Sequence, residues 1–147
     1  TFLDEAVRFV NERVWGSLAA GIFIHPDHER DPGIRPSFDQ AIARLRYGAV
    51  AINHWPALAY GLGVTPWGAY PGSSLSDIQS GRGFVHNTLM FEGVRKTVVR
   101  GPLHVRPTPI WYPGHRNAHH AAERLVGFEA DPSPARLPGV APKAILS

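Results

Sequence analysis

Twice within its first 52 residues the chain passes from a helix-patterned segment into a short, uninterrupted apolar run. In the first passage Leu3, Ala6, Val7, Val10 and Val14 recur at helical spacing, with Asp4, Arg8, Asn11 and Glu12 on the other side. Thr1 and Asp4 stand at capping-box positions, and Gly16 is placed to stop the helix. LAAGIFI follows, Leu18 to Ile24, and a run without polar alternation suits a strand covered on both faces, as in parallel sheets. In the second passage Ser37 opens a helix with Gln40 at the capping-box position. Phe38, Ala41, Ile42 and Leu45 form its buried stripe, and Gly48 stops it before the strand Ala49 to Ile52. Helix–strand–helix–strand with short joints specifies the α/β class, here a partial parallel αβαβ layer. Two strands make a poor sheet, so further strands are expected from the C-terminal part or from another polypeptide.

The second apolar run stops at Asn53, and a loop rich in glycine and aromatics follows, carrying Trp55, Tyr60, Trp67 and Tyr70. Ligand-binding loops of α/β proteins sit where buried parallel strands end, so this loop is the candidate functional segment. Pro26 to Arg35 reads as a solvated loop, as does the polar stretch Ser73 to Gly83. A short helix is expected over Phe84 to Glu92, and a β-branched strand, Lys96 to Val99, lies before Gly101-Pro102. From Pro102 the composition shifts. Residues 1–101 form one domain, and 102–147 a proline-rich extension with one helical stretch, Asn117 to Val126. The stretch from Asp131 to Pro142 is expected to wrap a surface or to be mobile.

Composition removes several classes of function. The 147 residues, 44% apolar and 18% charged, describe a chain able to bury a core of its own. Cysteine is absent, which excludes disulfides, thiolate metal sites and a cysteine nucleophile within these residues. The net charge of +3 comes from scattered groups such as Arg44, Arg46, Arg95, Lys96 and Arg100, without a basic run, so no nucleic-acid partner is expected. No apolar run approaches the roughly 20 residues of a membrane span, and no signal peptide opens the chain. The expectation is no membrane partner and a cytoplasmic location. His115, His119 and Glu123 would share a helical face at spacings of four, but the glutamate that directly follows the first histidine of a zinc-protease helix is missing. A surface helix with histidines and no metal is the reading. Ser76 and Asp77 are loop residues that assemble no triad.

The order of these pieces resembles the C-terminal segment of the aldehyde dehydrogenase superfamily. FLDEAVRFVNERVWGSLAAGIFIHP is similar to that family's helix and glycine-leucine-alanine-alanine strand, with Ser17 inserted between Gly16 and Leu18. AIARLRYGAVAINH resembles its next helix, a glycine, and a strand ending in asparagine. TPWGAYPGSS is similar to its proline-phenylalanine-glycine-glycine loop, with Trp67 for phenylalanine and Ala69 for the second glycine. GRGFVHNTLMFEGVRKTVV resembles the closing helix and the lysine-bearing strand, here with Lys96. The likeness covers residues 2 to 101.

What it implies is an oxidoreductase in which a cysteine attacks an aldehyde and the thiohemiacetal passes hydride to NAD or NADP, giving a carboxylic acid. The nucleophile and the nucleotide fold lie upstream of the matched region in that family, and no G-x-G-x-x-G stands in this chain. The implied picture is a fragment that has no catalytic residue and binds no cofactor alone, partnered by a missing upstream catalytic and cofactor-binding polypeptide. By the resemblance Asn53, Trp55, Tyr60 and Trp67 line the substrate tunnel. Lys96, Thr97, Val98 and Val99 pair with another subunit as an added strand, making a homo-oligomer. The alternative is a non-catalytic oligomerisation or binding module of α/β type.

Overall fold

Three parallel strands, Ala19–Ile22 (β1), Ala49–Ile52 (β2) and Thr97–Arg100 (β3), lie side by side in the order β1-β2-β3. Ala19 stands opposite Ala49, which stands opposite Thr97, and the register ends at Ile22, Ile52 and Arg100. The computed structural model describes residues 1–63, 65–81 and 93–145. The expected helix over Phe84 to Glu92 lies outside the described residues. The chain divides into two compact units, Thr1–Leu103 and His104–Ser147.

The α/β expectation holds, and the third strand comes from the chain itself. Thr97 N donates to Gly48 O and Gly101 N to Ile52 O, so β3 is laddered onto β2 at both ends. Among the described residues four helices accompany the sheet: Phe2–Arg13 (α1), Pro26–Arg30 (α2), Arg35–Arg44 (α3) and Ala57–Gly61 (α4). One face of the sheet packs on α1 and α3, where Val50 and Ile52 join Val7, Phe38, Ala41, Ile42, Leu45 and Tyr47 in a buried cluster. Alternation puts Ala49 and Ala51 on the other face, with Gly21 beside Ala51 in the register. Across β1 and β2 that face is small, while β3 adds Thr97 and Val99 to it, and Pro56 lies 3.4 Å from where a Cβ on Gly21 would stand.

Thr1 and Asp4 form the expected capping box, and Arg44 also bonds Asp4, joining α1 to α3. Other boundaries differ from expectation, each for a local reason. The 26–35 stretch contains α2, because Pro26 sits in a first helical turn, where its missing N–H costs nothing, and the His25 ring accepts from Asp27 N. The second long helix starts at Arg35 rather than after Ser37, again with proline in its first turn. The Ser37 hydroxyl donates back to Ile34 O instead of capping. It ends at Arg44 with Leu45 extended, so Gly48 is not its stop. The strand within Leu18 to Ile24 is the edge strand β1, with Leu18 and Phe23 exposed rather than covered. The third strand is displaced by one residue, from Lys96–Val99 to Thr97–Arg100.

In the second unit the expected helix is longer, Ala118–Ala130 (α5), and the proline-rich end is ordered. A 3-10 turn, Pro134–Arg136, leads into the helix Leu137–Ile145 (α6), with Pro134 and Pro138 in first turns and Pro142 inside α6. Arg136 fastens this hairpin, donating to Gly127 O at 2.6 Å and pairing with Asp131 at 2.8 Å.

Gly48 serves a close backbone approach. A Cβ there would stand 2.3 Å from Gly68 N and 2.7 Å from Gly68 C. Gly48→Ala is therefore expected to destabilise the fold by about 3 kcal/mol, at the upper end of overpacking costs. Gly61→Ala, which meets open space, should change stability by no more than about 1 kcal/mol, in the stabilising direction. Urea denaturation of the two variants checks the contrast, and equal midpoints would refute the close-packing account.

Candidate functional site

The carboxyl end of the sheet is built by the four residues after β2. Asn53 adopts a left-handed backbone, φ 57°, a conformation asparagine tolerates better than most side chains. Its N–H donates to Ile22 O at 2.8 Å, and its side-chain Oδ1 accepts from Ile24 N at 2.8 Å. The residue is 1% exposed. Its amide thus extends the β1–β2 ladder beyond Ile22 and Ile52, capping the N–H of Ile24.

From there the chain crosses the strand ends. The His54 ring lies on Gly101 at the end of β3, where a Cβ would stand 1.8 Å from Nε2. Pro56 then returns over Gly21 of β1. His54 Nδ1 is buried with no partner among the described residues. Trp55 and Tyr60 are about half exposed, and Tyr60 on α4 meets Trp67 edge-to-face at 5.6 Å between centroids. The structure therefore brings Tyr60 and Trp67 together as one aromatic wall and sets Trp55 at the strand end. Asn53 is turned inward to Ile24. The Thr65 hydroxyl donates to Ala59 O, closing the loop onto α4.

Lys96 precedes β3 and Arg100 ends it. Lys96 Nζ donates to Ile42 O and Ala43 O at 2.6 and 2.8 Å, a cation on the free carbonyls at the C-terminal end of α3. Burial holds its ammonium below the usual lysine range. Arg100 donates to Glu29 Oε1 and Asp39 Oδ1, each at 2.8 Å, with its guanidinium 5.9 Å from the Phe38 ring centre. One side chain thereby ties the end of β3 to both α2 and α3. Thr97, Val98 and Val99 pair with β2 of their own chain along one edge, and the other edge carries no strand among the described residues.

Ser17 and His54 were not among the residues the sequence singled out. Ser17 is 3% exposed; its Oγ donates to Gly68 O at 2.9 Å and accepts from Ser80 N at 3.3 Å, and its N–H donates to Ser80 Oγ at 2.7 Å. Its signal in the sequence was its appearance as an extra residue before the apolar run. In the second unit His115 precedes α5 and shares no helical face with His119 and Glu123. Its ring is buried and satisfied, Nε2 donating to Ala144 O at 3.1 Å and Nδ1 accepting from Asn117 N at 3.2 Å. Among the described residues no three metal-ligating side chains come together, and no helix is long and apolar enough to cross a membrane. The chain matches no protein-family model, and no match to it is found among curated proteins or solved structures.

Replacing Asn53 separates its two roles. Asn53→Gly keeps the left-handed backbone but leaves Ile24 N–H without its acceptor, an expected loss of about 1–3 kcal/mol. Asn53→Ala adds the backbone penalty, roughly 1 kcal/mol more. Chemical denaturation should rank wild type above the glycine variant above the alanine variant; an alanine variant as stable as the glycine variant would remove the backbone part.

Proposed function

We propose that this chain is the C-terminal portion of an NAD(P)-dependent aldehyde dehydrogenase, contributing a wall of the aldehyde tunnel and subunit contacts. The observation that supports this reading most is the aromatic segment from Trp55 to Trp67 following the carboxyl end of a parallel strand in a chain without cysteine. An aldehyde-oxidising site needs an apolar passage that keeps water from the thioester until hydrolysis is due. In this reading Trp55, Tyr60 and Trp67 supply the passage, and Asn53 holds its rim. The nucleophilic cysteine, the water-activating carboxylate and the NAD or NADP site belong to the upstream polypeptide.

The same reading gives β3 a second role. Thr97 and Gly101 donate to β2, so by alternation the N–H groups of Val98 and Arg100 point to the open edge. Lys96 to Val99 then offer that edge to a second subunit, and the assembly is a homo-oligomer. The burial of Asn53 against Ile24 favours the alternative, a non-catalytic oligomerisation or binding module.

Two measurements test these assignments. Purified chain alone is expected to reduce no nicotinamide cofactor with any aldehyde, and co-expression with a cysteine-bearing upstream polypeptide should give aldehyde oxidation that Trp67→Ala weakens. Turnover by the pure chain would overturn the division of labour, and an upstream partner that binds without turnover would favour the module. For the edge, Val98→Pro removes an outward N–H while leaving the ladder to β2 intact. Size-exclusion chromatography should show an oligomer for wild type and a folded monomer for the variant; wild type running as a monomer would sink the pairing.

A further inference from the structure

A second concavity lies at the other end of the sheet, before β1 and β2 begin. It is a cavity of about 290 Å³ between the last turn of α1 with its exit segment, the Arg46–Tyr47 link into β2, and the 70–79 loop. Its size is at the lower limit of small-molecule sites. All of it belongs to the first unit.

The walls are held by hydrogen bonds between side chains and backbone. Ser17 joins the exit of α1 to Gly68 and Ser80 through the three hydrogen bonds described above. Asn11 fixes the base: its Nδ2 donates to Arg44 O at 2.9 Å, and its Oδ1 accepts from Arg46 N at 2.8 Å. The backbone of Arg46 is thus fixed while its guanidinium reaches outward. Gln79 in the far wall holds a left-handed backbone, φ 54°, the kind of outlier that marks a constrained segment.

The chemistry of the lining is selective. Arg13 and Arg46 both line this space, and neither has an ion-pair partner among the described residues. The carboxylate of Asp77, the acid of the far wall, accepts from Gln79 Nε2 at 2.6 Å. Glu12 is the other acid of the lining. Trp15 stands at the mouth with 97% of its surface exposed, an unusual position for so large an apolar ring. Tyr47 and Tyr70 complete the lining, and burial raises the Tyr47 phenol above its usual range, so it stays a neutral donor at physiological pH.

We propose that this cleft binds a small aromatic anion, a planar ring carrying a carboxylate or a phosphate. Arg13 and Arg46 take the anionic group, and Trp15 stacks on the ring. Guanidinium forks are suited to both oxyanions, and an indole gains most from a flat partner that shares its face. The Asp77–Gln79 pair leaves a carboxylate oxygen for a ring N–H or amino group on the far side. The site stands on geometry at the amino end of the sheet and is independent of the aldehyde reading.

The test is calorimetric titration of the chain with four probes: adenosine 5′-monophosphate, benzoate, adenosine and inorganic phosphate. At least one of the two ring-bearing anions should bind roughly tenfold or more tighter than adenosine or phosphate alone, and which one does so tells phosphate from carboxylate. Arg46→Gln and Trp15→Ala should each weaken that binding about tenfold, the size of one lost charge-assisted bond or one stacked ring. Arg30→Gln, an exposed arginine on α2 outside the cleft, should leave it unchanged. Thermal melts that match wild type show that the variants fold. Phosphate binding as tightly as the nucleotide would mean a mere anion patch. Adenosine binding equally well would mean a mere apolar surface, and no heat with either ring-bearing anion would mean no site. Any of these results overturns the proposal.

Discussion

The approach of Gly68 to Gly48 decides where the segment after β2 can lie. Two backbones meet at a separation that admits no Cβ, directly before the strand whose residues are the most buried in the chain. Ser17 fastens the same place from the β1 side by donating its hydroxyl to Gly68 O. Because β1 and β2 run parallel, both amino ends lie together, and one loop residue touches both. The segment leaving β2 passes over Gly21 of β1, where the Pro56 ring lies 3.4 Å from where a Cβ would stand.

Polar joints then decide the ends, and hydrophobic burial the middle. The cluster around Val50, Ile52, Phe38 and Ile42 supplies non-directional stabilisation and would tolerate modest shifts in position. Asn53 on Ile24, Asn11 on Arg44 and Arg46, and Lys96 on the carbonyls of Ile42 and Ala43 are directional, and each joins residues 29 to 54 apart in sequence. Their contribution is specificity of arrangement: each leaves a backbone group unsatisfied if the two elements slide. Arg100 belongs to the same set but is half exposed, so its two ion pairs add little to stability beyond fixing α2.

The α/β class, the first helix with its cap and both early strands were legible because helical period, capping pair and unbroken apolar runs are local signals. The short helices α2 and α4 were not, since five residues carry too little periodicity to separate a turn from a helix. Ser37 has the composition of a cap, yet Pro36 one residue earlier favours a start upstream of it. The role of Gly48 was misplaced for a different reason: a glycine after a helix reads as a stop, and the contact it makes lies twenty residues away. Of the expected wall residues, the pairing of Tyr60 with Trp67 is a tertiary fact that spacing cannot announce. The inward turn of Asn53 follows from a left-handed backbone that no single residue type dictates. The helical hairpin of the second unit was hidden by its prolines: Pro134 and Pro138 sit where a helical turn begins and lose nothing by lacking an N–H, whereas Pro142 stands inside α6 and reads as a breaker.

The two ends of the sheet are joined by β2, four residues that span about 13 Å at ordinary strand rise. Its side chains are between 0% and 2% exposed, and it carries neighbours on both edges. Such a strand has one packed arrangement, since a slip by a single residue would move Val50 and Ile52 to the small face and the alanines into the core. Coupling between sites requires an element with two arrangements of similar energy. β2 is not one, so occupancy of the amino-end cleft leaves Asn53 and His54 where they are. The elements free to respond lie at the margins, the Trp15 exit of α1 and the half-exposed aromatics beyond Asn53. Each answers to its own end of the sheet, so the two proposed sites, at opposite ends of β2, do not depend on one another.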